Sequence, residues 1–196
     1  MSEKSLQSAQ QLRQPRGAIR INGTVVQGWT ELEVNNNIFY HADTFRIQFA
    51  LSMLPVEHDQ SWWSKQRSVS VEVFVGFPAD PERYSVDDLD SLIYGNVDEI
   101  DIDPVGGVME LHGRDLTSLL IDTKATEDFR NRRSYEIATI IAERHGLTPI
   151  VTKTKAISGS LYQIDHARLR HQQSEWDLLT KEAQKEQYVV YVKGRE

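Results

Sequence analysis

Apolar and polar residues alternate through most of the first half of the chain. Phe45, Ile47, Phe49 and Leu51 are interleaved with Thr44, Arg46, Gln48, Ala50 and Ser52. Val69, Val71, Val73, Val75 and Phe77 repeat the pattern until Pro78 stops it. A period of two gives a strand one apolar and one polar face. Ile19, Ile21 and Val25 surround Asn22-Gly23, a turn or bulge signal, and Trp29 to Val34 reads as the next strand. Asn35-Asn36-Asn37 must be a loop, because Asn side chains compete with a sheet for backbone hydrogen bonds. Leu92 to Ile102, the turn Gly106-Gly107 and Val108 to His112 form a hairpin. Six or so short strands predict a small antiparallel barrel or sandwich, and the pattern alone fits both.

The period changes at Gly113-Arg114-Asp115-Leu116-Thr117. Gly113 is expected to close the preceding strand. Leu116, Leu119 and Leu120 then share one face of a short helix that Asp115 or Thr117 can cap. Downstream, Ser134 offers an N-cap to a helix carrying Ile137, Ile140 and Ile141, and Gly146 fits its left-handed end. Leu147–Val151 and Leu161–Ile164 read as short strands. Ser174-Glu175-Trp176-Asp177 is an acidic capping box, and Trp176, Leu179 and Ala183 lie on one face after it. Tyr188-Val189-Val190-Tyr191-Val192 is strongly β-prone. The expectation is α+β: an N-terminal antiparallel β-barrel over 16–113, then a small α+β domain over 114–196, roughly helix, strand, helix, strand. Residues 1–15 form a polar tail expected to be disordered until something binds it. A domain seldom stops so soon after a strand, so the sequence reads as a fragment or a shortened member of something longer.

Composition narrows function more than it names one. A net charge of −7 gives no general pull towards nucleic acid or anionic lipid. Cys is absent, which rules out disulfides, thiolate catalysis and thiolate metal sites. No run is long enough to span a bilayer as a helix. The six His residues show neither a His-x-x-x-His pair nor a His-Glu-x-x-His helix, so no metal or other cofactor is expected. Asp80, Glu82, Asp87, Asp88 and Asp90 lack the glycine and spacing of a calcium loop and read as a solvated acidic connection. No Gly-x-Ser-x-Gly elbow and no phosphate-binding glycine loop occur. Arg130, Arg132, Arg133, Lys153 and Lys155 make the second half locally basic, a solvated face or a contact for an acidic partner. Trp62-Trp63 stands out in an otherwise polar loop. The pair reads either as a plug over an open end of the sheet or as an anchor for a neighbouring subunit.

Two motifs carry a family resemblance. Gly113-Arg114-Asp115-Leu116-Thr117 after a hairpin, and Ser174-x-Trp176-Asp177-Leu178-Leu179 with Ala183 and the run 188–192, resemble the baseplate hub proteins of phage tails. These are the late control gene D and Mu-type tail hub proteins; the N-terminal part of type VI secretion spike proteins is a more distant likeness. The resemblance implies a non-enzymatic structural component: a split-barrel-like domain, a homotrimer, and pseudo-sixfold symmetry from two similar barrels per chain. Its implied partners are the tail tube, the central spike and other baseplate proteins. It implies no membrane binding of its own and no sequence-specific nucleic acid binding. It places the chain in the virion, at the tail baseplate, assembled in the cytoplasm of the bacterial host. The family's second barrel should begin where this sequence stops. Trp62 and Trp63 are then candidate interface residues, and Arg114, Asp115 and Trp176 architectural ones. The rival readings are a tail-associated cell-wall hydrolase and an α+β ligand-binding module unrelated to tails.

Overall fold

The computed structural model describes residues 14–37, 41–127, 129, 132–155 and 173–196. Seven strands form one antiparallel sheet: β1 Arg16–Ile21, β2 Thr24–Val26, β3 Trp29–Asn35, β4 Thr44–Ala50, β5 Ser70–Gly76, β6 Asp90–Asp103 and β7 Val108–Asp115. Their order is β2-β1-β5-β6-β7-β4-β3. Laid flat, seven strands would hold β2 and β3 about 29 Å apart. Only Gln27 and Gly28 separate these two edge strands in the chain, and three peptide links reach at most about 11 Å. The sheet therefore curls until its edges meet at this corner. The Trp29 ring lies against Gly17, where a Cβ would stand 3.4 Å from Trp29 Cζ2. β2 and β3 share no ladder among the described residues, so the barrel is split along this seam.

The alternating residues fill its interior. Ile47 opposes Leu111, Phe49 opposes Met109, and all four are fully buried. Each such side chain contributes roughly 1.5–3 kcal/mol by leaving water. Asn22 and Gly23 both take positive φ, 47° and 84°, and join β1 to β2 in a tight primed turn. A bulge between Val97 and Glu99 shifts the parity of β6. Before it Ile93 points inward; after it Ile100 and Ile102 join the core. That one extra residue explains why Asp98, Asp101 and Asp103 do not follow a strict alternation in the sequence.

A second core lies beyond β7. Leu116, Leu120, Ile137, Ile141, Leu147, Trp176 and Leu179 bury together, and Tyr94 of β6 packs against them from the barrel. The helices among the described residues are α1 Gln60–Trp63, α2 Thr117–Asp122, α3 Ser134–Arg144 and α4 Glu175–Lys185. α3 ends on Gly146 at φ 68°, with Leu147 N donating to Ala142 O at 2.9 Å. α4 ends in the same way on Gln187 at φ 63°, with Tyr188 N donating to Ala183 O at 2.9 Å.

Three local expectations are corrected. Gly113 does not close its strand, because β7 continues through it to Asp115. It is glycine for space: a Cβ there would lie 2.3 Å from both Phe45 Cζ and Asn96 O. Ser134 is the first residue of α3 instead of its cap, and its buried hydroxyl donates to Glu182 Oε2 at 3.3 Å. Leu147–Val151 and Tyr188–Val192 are in no strand. Among the described residues they find no ladder partner, and β propensity without cross-strand neighbours makes no sheet. The expected strand Leu161–Ile164 lies outside the described residues, as do His166, His171 and Arg130.

Candidate functional site

The side chains singled out in the sequence do not converge on one pocket. They mark the barrel's rim, the joint between the two cores, and the packing of α4. At the rim, α1 sets two adjacent tryptophans about 100° apart around a helix axis. Asp59 starts this turn by accepting from Trp62 N at 2.8 Å. Trp63 points into the barrel core, is buried, and donates Nε1–H to His58 O at 3.0 Å. Trp62 stays half-buried at the rim, edge-on to Trp63 at 4.8 Å and to His58 at 4.5 Å. Of the pair, only Trp62 has ring surface left for a neighbour.

At the joint, Arg114 and Asp115 leave β7 on opposite faces. Arg114 forks between two carboxylates: Nε and an Nη contact Asp98 of β6 at 2.7 and 3.1 Å, and the same Nη reaches Asp122 of α2 at 2.8 Å. Hydrogen bonds to Asp98 first, and to Asp122 next, raise the guanidinium's pKa further. Arg114 thereby ties the last turn of α2 to the barrel wall. Asp115 turns inward. Its carboxylate accepts from Thr117 N at 3.2 Å and Thr117 Oγ1 at 2.9 Å, and its own N–H donates to Asp43 O at 2.9 Å. It thus caps α2 from one position earlier than the helix's own N-cap residue, Leu116. Burial pushes its carboxyl up to about 6, against the pull of the two Thr117 donors.

In the second core the capping box forms as its spacing implies. Asp177 N donates to Ser174 Oγ at 3.0 Å, and Ser174 N donates to Asp177 Oδ2 at 3.0 Å. Trp176 is buried beside Leu179. Two carboxylates of α4 that sequence reasoning passed over are also buried. Glu175 meets Arg144 and, at 2.5 Å, His145; Glu182 meets Lys185 at 2.5 Å. The only signal for them was an acid on the face of α4 that turns towards α3.

Elsewhere the outer wall of β3, β4 and β7 carries a chain of charges. Arg46 bonds Glu31 at 2.6 Å and Glu110 at 3.0 Å. Gln48, then Arg46, hold the Glu110 carboxyl below its usual range. An open groove between the barrel and the C-terminal residues is lined by Arg20, Ser70, Glu72, Tyr94 and Arg195. Arg20 pairs there with Glu72 at 3.0 Å, and Arg195 donates to Tyr94 Oη at 2.7 Å. No histidine stands beside Ser70 in that lining to act as a base. Among the described residues no group of three His, Asp or Glu is placed to hold a metal ion, and no helix is long and apolar enough to cross a membrane. The arrangement these residues form suits positioning and contact.

No family model matches the chain, and no curated protein matches it. Solved structures do resemble it. A tail protein from Neisseria meningitidis MC58 aligns over 86% of this chain at 16% identity and a TM-score of 0.52. The 43 kDa tail protein of prophage MuSo2 from Shewanella oneidensis aligns over 88% at 18% identity and a TM-score of 0.55. The chain spans less than half the length of each, 45% and 48%. At this identity the likeness establishes a shared fold.

Proposed function

We propose that the chain is a non-enzymatic structural component of a phage or phage-like tail, a baseplate hub piece that joins the tail tube to the central spike as a homotrimer. What supports this reading is the superposition of two solved tail proteins on 86% and 88% of the chain. The barrel of 16–113 and the unit of 114–196, helical among its described residues, act in it as two domains, with β7 crossing their boundary. Arg114 and Asp115 hold the joint between the domains, Trp176 packs the second of them, and Trp62 at the rim is the side chain offered to a neighbouring subunit. Closed rings repeat one patch around an axis, and a half-buried aromatic is a natural anchor for such a patch. Its site of action is the virion tail, after assembly in the host cytoplasm.

Co-expression with the tube and spike proteins of the same particle tests this. The chain should co-purify with both, and Trp62→Ala should weaken that association without lowering the melting temperature. The hydrolase alternative predicts clearing of peptidoglycan by the purified chain, abolished by a carboxylate substitution. No clearing is expected.

A further inference from the structure

The groove between the barrel wall and the C-terminal residues is rich in donors and short of free acceptors. Arg20, Glu72 and Tyr94 stand side by side across β1, β5 and β6, and Arg195 lies over the Tyr94 ring, 5.1 Å from its centroid. With Asn22 and Ser70 they line a space of about 550 Å³. Both oxygens of Glu72, the one carboxylate in that lining, are taken: Arg20 Nη1 donates to one at 3.0 Å and Ser91 Oγ to the other at 2.9 Å. Asn22 Oδ1 accepts from Ser70 N and Oγ, and the Tyr94 oxygen accepts from Arg195 Nη2. Left without an acceptor among the described residues are Nε and Nη1 of Arg195, Nε and Nη2 of Arg20, Nδ2 of Asn22 and the Tyr94 O–H. The Phe74 ring, 4.7 Å from the Arg20 guanidinium, holds that cation in place.

We infer that this groove binds a single carboxylate borne on a peptide segment, with Arg195 as its bidentate partner and Arg20 as a second positive charge. A guanidinium offers two parallel N–H bonds that match the two oxygens of a carboxylate. Two guanidiniums against one carboxylate leave the groove positive, although the whole chain carries −7. Asn22 Nδ2 is placed to donate to a backbone carbonyl of the same segment. The surroundings select what brings the acid. Between Arg16 and Asp115, 17 Asp and Glu stand against seven Lys and Arg, so the barrel's wider field repels a polyanion such as nucleic acid. No ring is open to a base, because Tyr94, the one aromatic in the lining, is covered by Arg195 and packs against the second core. An apolar small molecule finds too little apolar wall. An open, polar groove instead suits an extended segment from which one acidic side chain reaches Arg195. The site is separate from the Trp62 rim, and it stands whether or not the chain belongs to a tail.

Titration of the isotope-labelled full chain with the capped tripeptide acetyl-Gly-Glu-Gly-amide, followed by NMR, tests this. The Nε–H signals of Arg195 and Arg20 should shift and saturate with a Kd on the order of 1 mM, as one ion pair with a few hydrogen bonds allows. The same peptide with Gln in place of Glu should bind roughly tenfold more weakly or not at all. Arg195→Gln should cause a similar loss at an unchanged melting temperature, and Arg195→Lys, which keeps the charge without the fork, should also weaken binding. Acetate and inorganic phosphate should bind more weakly than the Glu peptide. Equal shifts with the Gln peptide, or no saturable shift with the Glu peptide, overturn the carboxylate site. Full affinity in Arg195→Lys overturns the bidentate contact, and acetate or phosphate binding as tightly as the Glu peptide overturns the peptide as the bearer of the acid.

Discussion

His145 Nε2 lies 2.5 Å from Glu175 Oε2, while Arg144 holds the other oxygen of the same carboxylate. The residues come from the end of α3 and the first turn of α4. The Arg144 cation at the C-terminus of α3 and the Glu175 anion at the N-terminus of α4 each sit where the helix dipole favours them. Arg144 extends the contact to Glu127 at 2.6 Å. This joint fixes the angle between the two helices of the second core.

Glu175→Gln should therefore destabilise the chain by about 1–3 kcal/mol, because it leaves the Arg144 guanidinium facing a neutral amide in a closed space. Arg144 is one-third exposed, which keeps the cost below that of a fully buried pair. Chemical denaturation checks this, and Glu127→Gln, at the solvent-facing end of the same network, should cost less than 1 kcal/mol by the same measurement, roughly what surface pairs contribute.

Asp115 makes stability depend on pH in a distinctive direction. Its carboxyl titrates near 6 in the fold and near 3.9 in an unfolded chain, so the folded state holds the proton more tightly. The stability contributed by the protonated form is fully present below about pH 4 and is lost as pH rises to 6. Over that interval Asp115→Asn should gain on the parent protein by up to about 3 kcal/mol, and the difference should be flat above pH 7. Unfolding curves at pH 4, 5, 6 and 7.5 measure it. Parallel pH profiles would contradict the burial argument.

Two glycines allow β6 and β7 to approach at the joint. A Cβ on Gly95 would stand 2.0 Å from Arg114 O, and one on Gly113 would strike the Phe45 ring. Gly95→Ala and Gly113→Ala should each cost about 3 kcal/mol. Gly17→Ala, whose Cβ would meet nothing closer than 3.4 Å, should cost under about 1 kcal/mol. Melting temperatures of the three variants order them.

Trp176 is buried, yet its Nε1–H has no hydrogen-bond partner among the described residues. Its value is then packing alone. Trp176→Ala should lose about 3–5 kcal/mol, while Trp176→Phe should keep most of the stability because no hydrogen bond is sacrificed. If both variants melt alike, the indole is not packed as described.

The barrel strands were legible in the sequence because each buries one face, and a half-buried strand writes that face as a period of two. Phe45 to Leu51 and Val69 to Val75 show it most plainly. The capping box at Ser174 was equally legible, since its partners are three residues apart. Features that depend on distant chain were not. Gly113 is shaped by Phe45 and Asn96, which sequence spacing does not bring near it. The parity change in β6 comes from a bulge that depends on its pairing with β7. Tyr188–Val192 has the composition of a strand, but a ladder also needs a neighbour. At the candidate site, Trp62 and Trp63 looked equivalent until the helical turn of α1 sent one inward and left the other at the rim. Nothing in the sequence marks Glu175 and Glu182 as buried, because their burial is decided by contacts at α3: Arg144 and His145 for the first, Ser134 for the second.

The central claim is that the chain works by assembling around a threefold axis. Light scattering coupled to size exclusion, at low micromolar concentration, measures this directly. The account predicts a particle of three times the 22.5 kDa chain mass, reduced to one by loss of the rim contact in Trp62→Ala. A single-chain mass for the parent protein over the same concentration range would contradict it.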